Sequence, residues 1–160
     1  MKRFGFRIVG FISIIFLILL VFLFRNNNGN IQDFYGTYTF DELIYLTGLS
    51  SSSIDYANKA RADLKYTIEA DLFKIEGKDI NVEITSPSYV KSELQFDSFP
   101  SFDHHILRDN GLKYQYDIKD KEGSKTMWRI YISQKDIFVA SYRNSANNTE
   151  FTWDIAKLSN

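Results

Sequence analysis

Ile8 to Phe24, IVGFISIIFLILLVFLF, is an unbroken uncharged run that divides this chain before any globular fold is considered. Only Gly10 and Ser13 within it are not strongly apolar. As a helix rising about 1.5 Å per residue it extends for roughly 25 Å, close to a hydrocarbon core of about 30 Å. Phe4 and Phe6 lengthen it once Arg7 snorkels toward the headgroups. Lys2, Arg3 and Arg7 precede the run and Arg25 alone follows, a bias that places the N-terminus in the cytoplasm and the rest of the chain outside. A cleaved signal peptide would carry an apolar core of about 7–15 residues and a small-x-small site, and FLFRNNNGN offers no such pair. The expectation is a retained signal anchor over 1–25, a polar linker over 26–30 and an extracytoplasmic domain over 31–160. That is a single-pass protein of the cell membrane.

The anchor holds four of the 19 basic residues and none of the 20 acidic ones, so residues 26–160 carry a formal charge of −5. An acidic domain lacks the positive footprint that grips phosphate backbones, which excludes a nucleic-acid partner. The absence of cysteine excludes disulfides, thiolate metal sites and cysteine nucleophiles. With 16% aromatic residues and two prolines the outer chain is neither disordered nor collagen-like, and its length has no room for separate cofactor and substrate lobes.

Beyond the linker the dominant signal is period-two alternation. Phe34, Gly36, Tyr38, Phe40, Glu42, Ile44 and Leu46 share one parity, an apolar strand face broken only at Glu42. Serines in TGLSSSS supply N-caps for one short helix over 54–64. Strands are then predicted over 65–75, 79–85 and 89–96. The strongest hairpin joins 112–118 to 126–132 through the polar turn DKEGS, and 137–142 and 151–158 complete about eight strands. Short turns favour an antiparallel meander, and a meander of this length avoids exposed edges most simply by closing into an up-and-down barrel. A strongly curved open sheet wrapped on the helix, as in cystatin-like or nuclear-transport-factor-like folds, shares much of this pattern.

The stretch Phe34-Tyr35-Gly36-Thr37-Tyr38 resembles the lipocalin-type opening motif, with Tyr38 where that superfamily carries Trp. The order of elements across 31–160 is similar to that of small lipocalin-like extracytoplasmic domains of Gram-positive bacteria. The resemblance implies an all-β, lipocalin-like barrel. It also implies that Tyr38 closes one barrel end beneath a basic side chain of the last strand, for which Lys157 in FTWDIAKL is the candidate.

Candidate chemistry is sparse. Asp103, His104 and His105 bring imidazole beside carboxylate, but adjacent histidines in an extended chain point to opposite sides, so a solvated loop is the default reading. Glu42 on an apolar face would grip a polar head group if it points inward, or else marks a bulge or the barrel mouth. No phosphate loop, nucleophile elbow or histidine triad appears. The pocket or barrel-end candidates are therefore Gly36, Tyr38, Glu42, Trp128, Trp153 and Lys157. The expected function is non-enzymatic and without a cofactor: a membrane-tethered module that binds a small apolar or amphipathic ligand, or alternatively a protein partner, as an envelope inhibitor or immunity-type protein would.

Overall fold

The computed structural model describes residues 34–94, 103–112 and 114–160. The predicted anchor and linker lie outside the described residues, and among those described no helix is long and apolar enough to cross a membrane. In chain order the elements are β1 (Gly36–Leu46), α1 (Ile54–Arg61), β2 (Lys65–Ile68), β3 (Leu72–Glu76), β4 (Asn81–Thr85), β5 (Ser88–Glu93), α2 (Asp103–Asp109), β6 (Tyr114–Lys119), β7 (Lys125–Ile132), β8 (Ile137–Asn144) and β9 (Glu150–Ser159).

All nine strands form one antiparallel sheet in the order β4-β3-β2-β1-β9-β8-β7-β6-β5. β9 lies between β1 and β8, so the first and last strands pair in the middle of the sheet, while the consecutive strands β4 and β5 are its two edges. This corrects the expectation of a closed barrel: the ladder is missing one step, between β4 and β5. It also corrects the strand count, because the predicted strand over 65–75 is a hairpin. Ile68 pairs with Phe73 across a tight turn in which the Glu69 amide donates to the Leu72 carbonyl at 2.8 Å.

The sheet is nonetheless strongly curled. The rings of Phe73 on β3 and Trp128 on β7 are 6.1 Å apart, although five strand steps at about 4.8 Å would separate them by about 24 Å in a flat sheet. Phe34, just before β1, likewise meets Tyr116 on β6 and Tyr89 on β5 at 4.7 and 5.5 Å. Registers place Tyr38, Phe40, Tyr66, Ile130, Val139 and Leu158 on this same concave face, all buried. The opposite face carries a second core. Tyr131, Phe138, Ala140 and Ile155 are covered there by Leu107 of α2 together with Leu94 and Leu112. Burial on both faces explains why β8 is buried continuously from Phe138 to Tyr142.

Both helices follow from local chemistry. Ser53 caps α1, its hydroxyl accepting from the Tyr56 amide at 3.2 Å, with Asp55 in the first turn and Lys59 and Arg61 in the last, where each charge complements the helix dipole. Ser53→Ala is expected to cost about 1 kcal/mol, measurable as a shift in the urea midpoint. Asn58 of α1 accepts from the Leu43 amide at 2.8 Å, where β1 is irregular on both sides, between Phe40 and Glu42 and between Leu43 and Tyr45. The bulged section of β1 is thereby tied to the helix. α2 replaces the solvated loop expected around His104 and His105. In the hairpin β6–β7 the turn is as read: Asp120 accepts from the Glu122 and Ser124 amides at 3.0 and 2.9 Å, and Gly123 takes φ +82°.

Candidate functional site

Where α1 ends over the junction of β1 and β9, a buried ion pair anchors it. Arg61 donates from Nη2 to Oδ2 of Asp154 at 2.6 Å, and the other oxygen of Asp154 accepts from the Ser141 hydroxyl at 2.6 Å. The two charged side chains are only 19% and 10% exposed. Asp154 pairs in register with Leu46 and Ser141, so it faces the concave side. Burial pushes the Tyr66 hydroxyl well above its ordinary range, the Asp154 carboxylate adds to that rise and Arg61 offsets part of it, so Tyr66 stays neutral. Arg61 has one donor left over: its Nη1 is buried without a hydrogen-bond partner.

Arg61 also lines a cleft of about 440 Å³ between α1, the loop 47–53 and the strand ends, with Leu46, Leu49, Ala60, Leu64, Ile80 and Trp153 as its main apolar wall. Two other hollows among the described residues are more polar. One of about 650 Å³ lies beside Lys125, Arg143, Asn144 and Glu150, and one of about 390 Å³ lies between the loops 109–111 and 133–136. The first borders a satisfied network. Arg129 stacks on Tyr142 at 3.8 Å and donates to Asp117 at 2.6 Å and to Glu150, while Lys125 reaches Glu150 at 3.1 Å. With its partners in place, that network reads as a clamp between β6, β7 and β9.

The six sequence candidates do not converge on one site. Tyr38 folds back over Gly36, where a Cβ would meet its ring at 3.1–3.3 Å, and its hydroxyl donates to the Phe34 carbonyl at 3.0 Å. Lys157 lies on the opposite face of the sheet and pairs with Asp41 and Asp136 at 3.6 and 3.8 Å, so it does not cover Tyr38. Glu42 is exposed, beside the first bulge and opposite Lys157. Trp128 packs inside the curl against Phe73. Trp153 alone belongs to the cleft, with the Arg143 guanidinium 3.7 Å above its ring. Of the imidazoles, His105 is exposed on α2, and among the described residues no cluster of three or more His, Asp or Glu is arranged to hold a metal.

Sequence reasoning missed Arg61, Asp154 and Ser141. The available signal was the even parity of the last strand, Thr152, Asp154, Ala156 and Leu158, where a single acid interrupts small and apolar residues. No family model matches the chain, and neither a curated protein nor a solved structure does so.

Proposed function

We propose that this protein is a non-enzymatic binding module, held on the outer face of the membrane by its N-terminal segment, and that it takes a small amphipathic molecule in the cleft at the end of α1. One observation carries this reading: the aromatic side chains expected to line a barrel cavity pack against each other across the curl, and the apolar cleft lies at the margin. Its volume of about 440 Å³ falls within the roughly 300–1,000 Å³ of small-molecule sites, and apolar walls joined by a few polar and charged groups, here three serines with Arg61 and Asp79, are their usual chemistry. The apolar run Ile8–Phe24 with its flanking bases supports the membrane tether.

The test is native mass spectrometry of the full chain extracted from membranes. A co-purifying small molecule is expected on the wild type and not on Ala60→Trp, which fills the cleft from an exposed helix position. Equal occupancy of both proteins would sink the cleft as the site. A protein partner is the second reading, favoured by Leu49 and Tyr56, which stand 73% and 66% exposed on the cleft rim with Ile54 nearby. Crosslinking in membranes through position 49 would then recover one specific protein.

A further inference from the structure

The rim of the cleft, with Leu49 and Tyr56 standing out into solvent, continues along the outer side of α1. Ala57, Asn58 and Arg61 share the side of this helix that meets the sheet, where Ala57 is buried, Asn58 bonds the Leu43 amide and Arg61 holds Asp154. Asp55, Tyr56, Lys59 and Ala60 fall on the other side, and all four are exposed. Among the described residues neither Asp55 nor Lys59 has an ion-pair partner. The two lie one turn apart on the same side of the helix, so this face reads acid at its start and base at its end. A row with no net charge selects neither an anionic lipid surface nor a strongly acidic or basic protein. It does match its own reverse. When two α1 helices run antiparallel about a two-fold axis through the row, Asp55 of each comes opposite Lys59 of the other. A parallel arrangement sets like charge against like and is disfavoured.

The second reading above calls for a protein at this rim, and we infer that it is a second copy of this chain, docked through antiparallel α1 helices with two Asp55–Lys59 ion pairs and the exposed Tyr56 rings beside them. With eight residues α1 is about 12 Å long, so the contact is small, in the range of transient interfaces rather than of stable dimers. Given the membrane tether proposed above, confinement of both copies to one surface raises their effective concentration, which is how so small a contact is occupied. The second copy also bears on the cleft. Its α1 stands over the rim where Tyr56 and Ala60 border the opening, and it shuts that side off from solvent.

Energy transfer between full-length chains in liposomes at low protein density tests the inference. The sequence has no cysteine, so Lys78→Cys, exposed and close to the end of α1 through the bond of its amide to Asp63, takes a single donor or acceptor dye. With α1 unchanged, transfer above the level of random proximity is expected. Asp55→Lys in both copies, or Lys59→Asp in both, sets like charges across the contact, and each is expected to weaken association about fivefold or more. Donor chains carrying Asp55→Lys mixed with acceptor chains carrying Lys59→Asp regain both ion pairs with reversed polarity, and transfer is expected to return. Absence of transfer with α1 unchanged would overturn the inference. So would equal transfer in every form, which would place the contact elsewhere in the chain, or a loss in the single forms that mixing does not restore. Crosslinking through position 49 to a different protein, with no transfer between copies, would keep the second reading and discard this partner. Flotation of the chain with the liposomes reports the tether separately.

Discussion

Asp154→Ala is expected to destabilise the folded domain by about 3–5 kcal/mol, a large share of the roughly 5–15 kcal/mol that holds a domain of this size together. The substitution strands two groups at once. The Arg61 guanidinium loses its Nη2 acceptor while Nη1 already has none, and the Ser141 hydroxyl loses its acceptor inside the concave core. A guanidinium cannot escape the loss by deprotonating, so α1 must shift to expose it further or the sheet must open. Equilibrium urea unfolding followed by circular dichroism measures the cost. The control is Arg61→Met with Asp154→Leu, which removes both charges and retains apolar volume; it is expected within about 1–2 kcal/mol of the wild type. A single substitution as stable as the double one would mean that the ion pair does not anchor α1.

The second large effect belongs to the curl. Phe73 is fully buried on β3, and its ring contact with Trp128 on β7 joins two strands that the hydrogen-bond ladder holds far apart. Phe73→Ala is expected to cost about 3–5 kcal/mol, through lost apolar burial plus the cavity left behind. It should also shift Trp128 emission to longer wavelength as water reaches the concave face. Met127→Ala, on the same strand as Trp128 but 55% exposed, is expected to stay within about 0.5 kcal/mol. A cost below about 1 kcal/mol at Phe73 would show that the ladder alone sets the curvature.

The legible parts of the fold were those encoded by neighbours in sequence. Alternation over Tyr114–Lys119 and Lys125–Ile132, together with Asp120 and Gly123 in the turn, specifies the β6–β7 hairpin, and Ser53 with the small residues after it specifies α1. The β2–β3 turn escaped because Glu69-Ala70-Asp71 contains neither glycine nor proline, and its geometry is imposed by the pairing of Ile68 with Phe73. α2 escaped because its seven residues are too few to display a helical period, and its position depends on Leu107 entering the second core. The site was less legible still. Arg61 and Asp154 are 93 residues apart, and only the docking of α1 across β1 and β9 makes them partners. The resemblance places Tyr38 beneath Lys157, whereas the pairing of Phe40 with Leu158 puts Lys157, one residue along β9, on the opposite face.

The central position of β9 bears on how the domain comes into being. β1 to β4 and β5 to β8 are each a run of neighbours that can zip together as the polypeptide emerges, but nothing in the sheet joins β1 to β8 except Glu150–Ser159. Closing a separation of about a hundred residues is entropically slow, so the two meanders must wait side by side until the last strand arrives between them. During that interval the inner edges of both halves lie open, at β1 and at β8. The domain is thus most vulnerable to mispairing in the interval before β9 is available to both halves.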